Sequence, residues 1–354
     1  MAIHSPPSEP SADPVPPPDA VDHLRSRPRS ARDTLAGLRD DDGPAHRAVS
    51  GPLRTGFDLV DRVLDGGLRI HDLVLVGGGP GVGKTVAALQ MAREAAEQGR
   101  TVIYVSFEHP PAAMLGRLLA LELGEMATPD QAPELGRLRD VVIAATAGFR
   151  SLDDAIAQEP LLAAAVTRID AYADRLLLVR GSGTHTDLSS LEGLVRAADQ
   201  ATGGVLFVDY LQKVAMQPEP QAEAEKVTRV VEGLKELALS NGVTVVAIAA
   251  SDWDGLETGR MRLHHLRGSS ALVYECDIAL ILNEKHQAVA REHLVYDTVR
   301  AESYKQQVVF TVEKNRGGPA MVDIEHRKDF LHYRFDPRGN YLAERLSDDR
   351  IQPA

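Results

Sequence analysis

The stretch "DLVLVGGGPGVGKT", Asp72 to Thr85, decides how the rest of this 354-residue chain is read. Leu73 to Val76 form a short apolar run that ends in glycines. Helical spacing then runs from Lys84 to Gln98, with Val86, Leu89 and Ala92 to Ala96 on the apolar face. Strand, glycine loop and helix are the setting in which G-x-x-x-x-G-K-[ST] holds phosphate. Gly78, Gly79, Pro80, Gly81, Val82, Gly83, Lys84 and Thr85 fill that pattern, and Val86 completes the nucleotide-binding set. Glycines let backbone N–H groups converge on phosphate oxygens without a Cβ in the way. The helix start adds a dipole that favours anions. Lys84 is expected to reach the β- and γ-phosphates of ATP, and the Thr85 hydroxyl to ligate Mg²⁺.

Outward from this loop, strand and helix patterns alternate. "TVIYVSF" (Thr101 to Phe107), "RLLLVRG" (Arg175 to Gly181), "GVLFVDY" (Gly204 to Tyr210), "VTVVAIAA" (Val243 to Ala250) and "DIALILN" (Asp277 to Asn283) read as buried strands. Continuous apolar runs, rather than alternation, suit a parallel sheet covered on both faces. The clearest helix runs from Glu223 to Ser240, with Val227, Val230, Val231, Leu234, Leu237 and Ala238 on one stripe. The order predicts an α/β fold with a mostly parallel central sheet flanked by helices. After Gln306 the pattern changes to period two with tight turns, which predicts an antiparallel edge at the C-terminal side.

Two carboxylates extend the phosphate site. "VLFVDY" ends a strand on Asp209, placed to hold Mg²⁺ through water; an ionised Asp after apolar residues is costly unless a cation or donor meets it. "YVSFEHP" sets Glu108 just past the next strand, as a base or water-orienting group. Ligands of open α/β sheets sit beyond the carboxyl ends of strands, so Glu108, Asp209 and the loop should share one edge.

Composition narrows the class. Hydrophobic residues make up 44%, enough for a sizeable core, but aromatics only 5%, so surfaces for stacking bases are few. A formal net charge of -12 argues against a globally basic nucleic-acid binder, while leaving room for a local basic lining. The single cysteine, Cys276, excludes an internal disulfide and a multi-cysteine metal site, and fits a reducing compartment. Residues 1–29, "MAIHSPPSEPSADPVPPPDA" onward, lack an apolar signal core and are too polar and proline-rich to fold. No run is long and apolar enough for a membrane helix. Together these predict a cytoplasmic protein with no membrane part. A disordered tail and linker are expected over 1–52, with a short helix over 30–41 capped by Ser30, a globular domain over 53–340, and a flexible tail over 341–354.

The ordered set of motifs resembles the RecA-like ATPase domain of DnaB-type replicative helicases, from about Arg54 to Asp336. "TGFDLVDRVLDGGLRIHDLVLVGGGPGVGKT" is similar to that family's entry segment and Walker A loop; "VSFEHPPAAMLGRLLA" to its F-S-L-E-M-S segment; "FVDYLQKV" to I-D-Y-L-Q-L-I. "LRGSSALVYECDIALIL" and "VEKNRGGPAMVDIEHRKDFLHYRF" resemble its later motifs, the second being the K-x-R hairpin with the strands after it. The resemblance implies that Glu108 activates the attacking water and that Asp209 is the Walker B carboxylate. It implies a homo-oligomeric, hexameric ring with composite ATP sites, in which Lys314 and Arg316 reach a neighbour's γ-phosphate. A charged hairpin tip is ordinarily only a solvated turn. Residues two apart on a strand face the same side, however, so both cations can aim at one anion.

Departures from the pattern bear on nucleic acid. Residues 1–52 have no counterpart of the helical, primase-binding domain that precedes the motor in that family. The loop after Asp209, "AMQPEPQAEAEK", is acidic and poorly suited to phosphodiesters. Where the family's strand ends in S-Q-L-N-R, this chain has "IAASDWDG", so its γ-phosphate-sensing Gln is replaced by Ala250 or Ser251. "GRMRLHHLRGSS" offers Arg260, Arg262 and Arg267 as contacts for single-stranded DNA. His264 and His265 have no spaced carboxylates to make a metal site. Thr186 or Asp187 reads as a helix cap, and Trp253 as a packing anchor rather than a base-stacking residue. Three readings stay open: a DnaB-like motor on single-stranded DNA in replication or repair, a regulatory ATPase of the RecA, RadA or KaiC kind without unwinding, and a ring scaffold with slow turnover.

Overall fold

The computed structural model describes residues 30–39, 51–126, 132–198, 203–295 and 298–347, and the chain divides into residues 1–47 and 48–354. In the first unit a helix spans Ala31–Arg39. The Ser30 hydroxyl accepts the Asp33 N–H at 3.0 Å, the cap expected from sequence. Leu35 on this helix is half exposed. The disorder expected for residues 1–29, and most of the 43–52 linker, lie outside the described residues.

The second unit is built on one sheet. Its strands are β1 (Leu73–Gly78), β2 (Val102–Ser106), β3 (Leu176–Arg180), β4 (Val205–Asp209), β5 (Thr244–Ala249), β6 (Ile278–Glu284), β7 (Gln307–Asn315), β8 (Val322–Asp329), β9 (Arg334–Phe335) and β10 (Asn340–Tyr341). They lie in the order β3-β2-β4-β5-β1-β6-β7-β8-β10, with β9 on β8. The pairs from β3 through to β6 are parallel; those among β6, β7, β8, β9 and β10 are antiparallel. This is the RecA-like arrangement expected from sequence, with its antiparallel C-terminal edge.

Alternation explains why β1 is apolar throughout. Leu73 and Leu75 enter one core with the helix Glu223–Asn241, while Val74 and Val76 enter the other with the helices Lys84–Glu97 and Pro111–Met126. Each such side chain, fully buried, contributes about 1.5–3 kcal/mol. Two strands depart from the simple reading. β3 is the sheet edge, and its Leu177 is exposed. β7 shows no period-two burial: Val308 to Val312 are all buried, so both faces of the strand are covered over this stretch.

The domain is longer in helix than sequence periodicity suggested. Helices Ala132–Thr146, Leu152–Gln158 and Pro160–Asp170 follow Pro111–Met126. The first two bury Leu135, Leu138, Val142 and Ala155 in the core, and an ion cluster fastens the third. Arg93, 5% exposed, donates to Glu122, which is fully buried, and to Glu125; Arg168 and the Tyr172 hydroxyl meet Glu122 from the last helix. Residues 341–347, assigned from sequence to a flexible tail, are instead packed. The Glu344 carboxylate is buried and accepts from Lys285, Arg300 and Tyr304, and Leu346 is 2% exposed. Among the described residues no helix is long and apolar enough to cross a membrane.

Candidate nucleotide site

Strand register brings the site together. Gly77 of β1 lies opposite Ala249 of β5, and Ser106 of β2 opposite Asp209 of β4, so the chains leaving these strands emerge at one edge. There they enclose a cleft of about 580 Å³, lined by the glycine loop, Glu108, Arg117, Asp209, Ala250, Ser251, Phe330 and Tyr333. This is nucleotide-sized space at the position the α/β rule assigns to ligands.

The loop needs its glycines. Gly78 has φ +149°, and a Cβ there would lie 2.6 Å from the Leu282 carbonyl oxygen. Gly83, at the N-cap of Lys84–Glu97, has φ +102°, and a Cβ would press to 2.5 Å against the Phe335 ring. The Lys84 ammonium donates to the carbonyls of Gly78 and Gly79 at 2.8 and 2.9 Å, which draws it under the loop. Burial lowers its pKa, against the pull of Asp209 and Glu108.

Asp209 is 2% exposed. Thr85 Oγ1 donates to its Oδ2 at 2.9 Å, and the Tyr104 hydroxyl donates to the same atom at 3.1 Å. Burial pushes its pKa up to about 6; the two hydroxyls and Arg117 hold it down, while Glu108 pushes it further up. A buried carboxylate beside a hydroxyl, both hard oxygen donors, fits Mg²⁺, which keeps most of its waters and takes few protein ligands. Among the described residues no group of three or more His, Cys, Asp or Glu side chains is placed to hold a metal.

Glu108 sits exposed at the mouth of the cleft, two residues past β2. Ser106 Oγ accepts the His109 N–H at 3.0 Å and shapes the turn that presents it. Arg117 contacts His109 Nε2 at 2.9 Å and lies over the Tyr333 ring, 5.2 Å from its centroid. Burial, then Arg117, lowers the His109 pKa, which keeps the imidazole neutral.

Lys314 and Arg316 lie elsewhere. β7 runs antiparallel to β6, with Lys314 opposite Ala279 and Asn315 opposite Ile278, so the hairpin tip lies at the sheet edge away from the cleft. Lys314 Nζ donates to the carbonyls of Val273 and Tyr274 at 2.7 and 3.2 Å. The Arg316 guanidinium also donates to Tyr274 and lies 3.5 Å from the Asp277 carboxylate. Both cations thus turn to the same side, as their spacing predicts, and neither lines the chain's own cleft.

The three arginines proposed for nucleic acid differ in access. Arg260 is 4% exposed and pairs with Asp323 at 2.7 Å; it is a structural ion pair, and the expectation that it meets DNA does not hold. Arg262 pairs with Glu313, whose other oxygen accepts the Leu263 N–H at 2.6 Å. Arg267 is half exposed and paired with an equally exposed Glu223, an arrangement of little intrinsic strength. Asp187 caps its helix by accepting the Ser190 N–H at 2.8 Å. Trp253, read as a packing anchor, is 73% exposed and donates to Glu257, so that reading is corrected. Tyr104, Arg117, Phe330 and Tyr333 escaped notice in the sequence. Tyr104 and Arg117 show there only as a hydroxyl and a cation in an otherwise apolar strand and helix; Phe330 and Tyr333, in and just after a 3₁₀ turn, carry no such signal.

A sequence model for the "DnaB-like helicase C terminal domain" matches residues 52–335. The chain belongs to this family. It is therefore a P-loop NTPase domain, of a family whose motors work with nucleotide and Mg²⁺. The replicative DNA helicase DnaB of Treponema pallidum is 24% identical over 318 residues, 89% of this chain and 60% of that protein. The DNA repair protein RadA of Mycobacterium tuberculosis is 45% identical, but over only 64 residues, 18% of this chain and 13% of that protein. The chain thus matches less than two thirds of the length of each of these relatives. Among solved structures, a DnaB-like replicative helicase, described with its interactions with primase, shares the fold. Its TM-score is 0.62 at 19% identity, over 87% of this chain and 67% of that one.

Proposed function

We propose that this domain hydrolyses ATP as a homo-oligomeric ring motor, hexameric as in the family it resembles, with each site completed by the neighbouring subunit. The observation that supports this is a division of labour. Lys84, Thr85, Glu108 and Asp209 converge on one cleft, while Lys314 and Arg316 project at the opposite sheet edge. In this reading the loop N–H groups and Lys84 hold the β- and γ-phosphates. Thr85 and Asp209 hold Mg²⁺, which when bound neutralises charge on the phosphate oxygens. Glu108 orients a water for attack on the γ-phosphorus and accepts its proton. Lys314 and Arg316 of a neighbour stabilise the charge that spreads over the transferring oxygens, as an arginine finger does. Phe330 and Tyr333 offer the cleft its apolar wall.

Single-stranded DNA is the proposed track, contacted through Arg262 and Arg267, in the cytoplasm and in replication or repair. A second reading, a regulatory ATPase or slow ring scaffold without unwinding, is favoured by one observation: Arg260, Arg262 and Arg267 are each engaged by a carboxylate. ATP turnover with and without single-stranded DNA, read beside native mass, separates the two. Stimulation by DNA in an oligomer supports the motor. DNA-indifferent turnover supports the second reading. A monomer that hydrolyses ATP at full rate would overturn the composite site.

A further inference from the structure

Gln212 lies in the "FVDYLQKV" segment that carries Asp209 but takes no part in the chemistry proposed above; it is buried, 7% exposed, in a short 3₁₀ turn over Leu211–Lys213, three residues beyond Asp209. Its side-chain amide makes two contacts. Nε2 donates to the Arg267 carbonyl at 2.9 Å, and Oε1 accepts the Ala250 N–H at 3.2 Å. The partners fix which end is which, since a carbonyl can only accept and an N–H can only donate. Ala250 and Arg267 are also joined directly, the Arg267 N–H donating to the Ala250 carbonyl at 2.8 Å. One step on, Ser251 bridges Leu266, and the Asp252 N–H donates to the His265 carbonyl at 2.9 Å. The Gln212 amide therefore closes the end of a small antiparallel pairing between 250–252 and 265–267.

What lies on each side of this closure matters. Ala250 and Ser251 line the nucleotide cleft beside Asp209. Arg267 belongs to the basic segment, and the chain beyond it leads to the carbonyls of Val273 and Tyr274, where Lys314 and Arg316 rest. The cleft wall and the basic segment are thus joined by direct backbone hydrogen bonds and, in addition, by one buried side-chain amide that holds Ala250 and Arg267 together. Resting on the nucleotide-site reading above, we infer that Gln212 is a positioning residue that couples the nucleotide state of the cleft to the conformation of residues 263–270.

Gln212→Ala removes both contacts. Gln212→Glu keeps the acceptor for Ala250 but loses the donor to Arg267. The test measures three quantities on the full chain: affinity for a fluorescent ADP, thermal unfolding, and amide hydrogen exchange of residues 263–270 with and without the magnesium complex of a non-hydrolysable ATP analogue. The wild type should bind nucleotide and change its exchange in this segment on binding. Gln212→Ala should bind comparably and unfold as cooperatively, but exchange about tenfold faster at 263–270, the effect of losing a buried hydrogen bond, and lose the response to nucleotide. Gln212→Glu should lose the response too; if Gln212→Ala fails to fold, this variant decides. A nucleotide response unchanged in either variant, or absent from a wild type that binds nucleotide, would overturn the inference. A wild type that binds no nucleotide would overturn the site reading, and the coupling with it, and the binding assay identifies that case separately.

Discussion

At the scale of single residues, the site works by placing charge where folding alone would not keep it. Asp209 is the clearest case. Its folded pKa of about 6 exceeds the ordinary 3.8, so the folded chain binds more protons than the unfolded chain between those values. Through this group stability falls as pH rises from about 4 to 6, and the charged form above pH 6 is a burden on the fold. Asp209→Asn is therefore predicted to stabilise the nucleotide-free protein at pH 7, by up to about 3 kcal/mol, while weakening Mg²⁺-dependent nucleotide binding. Thermal melts with and without Mg²⁺ and ADP check both signs. Glu108 has the opposite character, exposed at the cleft mouth and free of structural duty. Glu108→Gln should leave nucleotide affinity and melting temperature near wild type and lower turnover by about 100-fold or more, measured as phosphate release. These two carboxylates were legible in the sequence because a charge at the end of an apolar strand is conspicuous. Tyr104 and Arg117 were not, since a hydroxyl or a single arginine in an apolar element reads as ordinary amphipathic packing until its partner across the sheet is known.

Elements explain why these residues meet. The parallel strands were readable as continuous apolar runs because both faces are covered, and the observed ranges of β1, β2, β4 and β5 differ from the expected ones only at their ends. β7 was harder. Its neighbours on both sides, β6 and β8, are set by long-range pairing that no local period records. The helices over 132–170 were missed for a related reason. Their buried apolar stripes are short, Leu135, Leu138 and Val142 on the first and Ala155 on the second, and the third is also held by an inward charged cluster. Arg93 is the hub, joining Lys84–Glu97 to Pro111–Met126 and, through Glu122, to Arg168 and Tyr172. Removing it leaves Glu122 fully buried with half its compensation. Arg93→Ala is predicted to cost about 3–5 kcal/mol in denaturant unfolding, the range for breaking a buried ion pair from one side. Arg93→Met, of similar length but uncharged, should not rescue it, because the stranded carboxylate remains.

For the whole molecule, the decisive feature is the separation of the two halves of the proposed composite site. The cleft carries the glycine loop, the proposed metal ligands Thr85 and Asp209, and Glu108; the hairpin carries two cations that cannot turn back to that cleft, since β7 ends beside the beginning of β6. The order of motifs along the chain was legible, and so was the fold they imply. Which edge of the sheet each motif occupies was not, because it depends on strand direction and register rather than on any residue's identity. In the proposed composite site turnover depends on assembly, so specific activity should rise with protein concentration through the range in which native mass reports oligomer formation. The most direct test mixes two inactive variants, Arg316→Ala and Lys84→Ala. In a mixed ring, an intact phosphate loop on the Arg316→Ala subunit meets an intact hairpin on the Lys84→Ala subunit. The prediction is that each variant alone is inactive and that mixing restores part of wild-type turnover. Mixed assemblies, verified by native mass, that remain inactive at every ratio would contradict it.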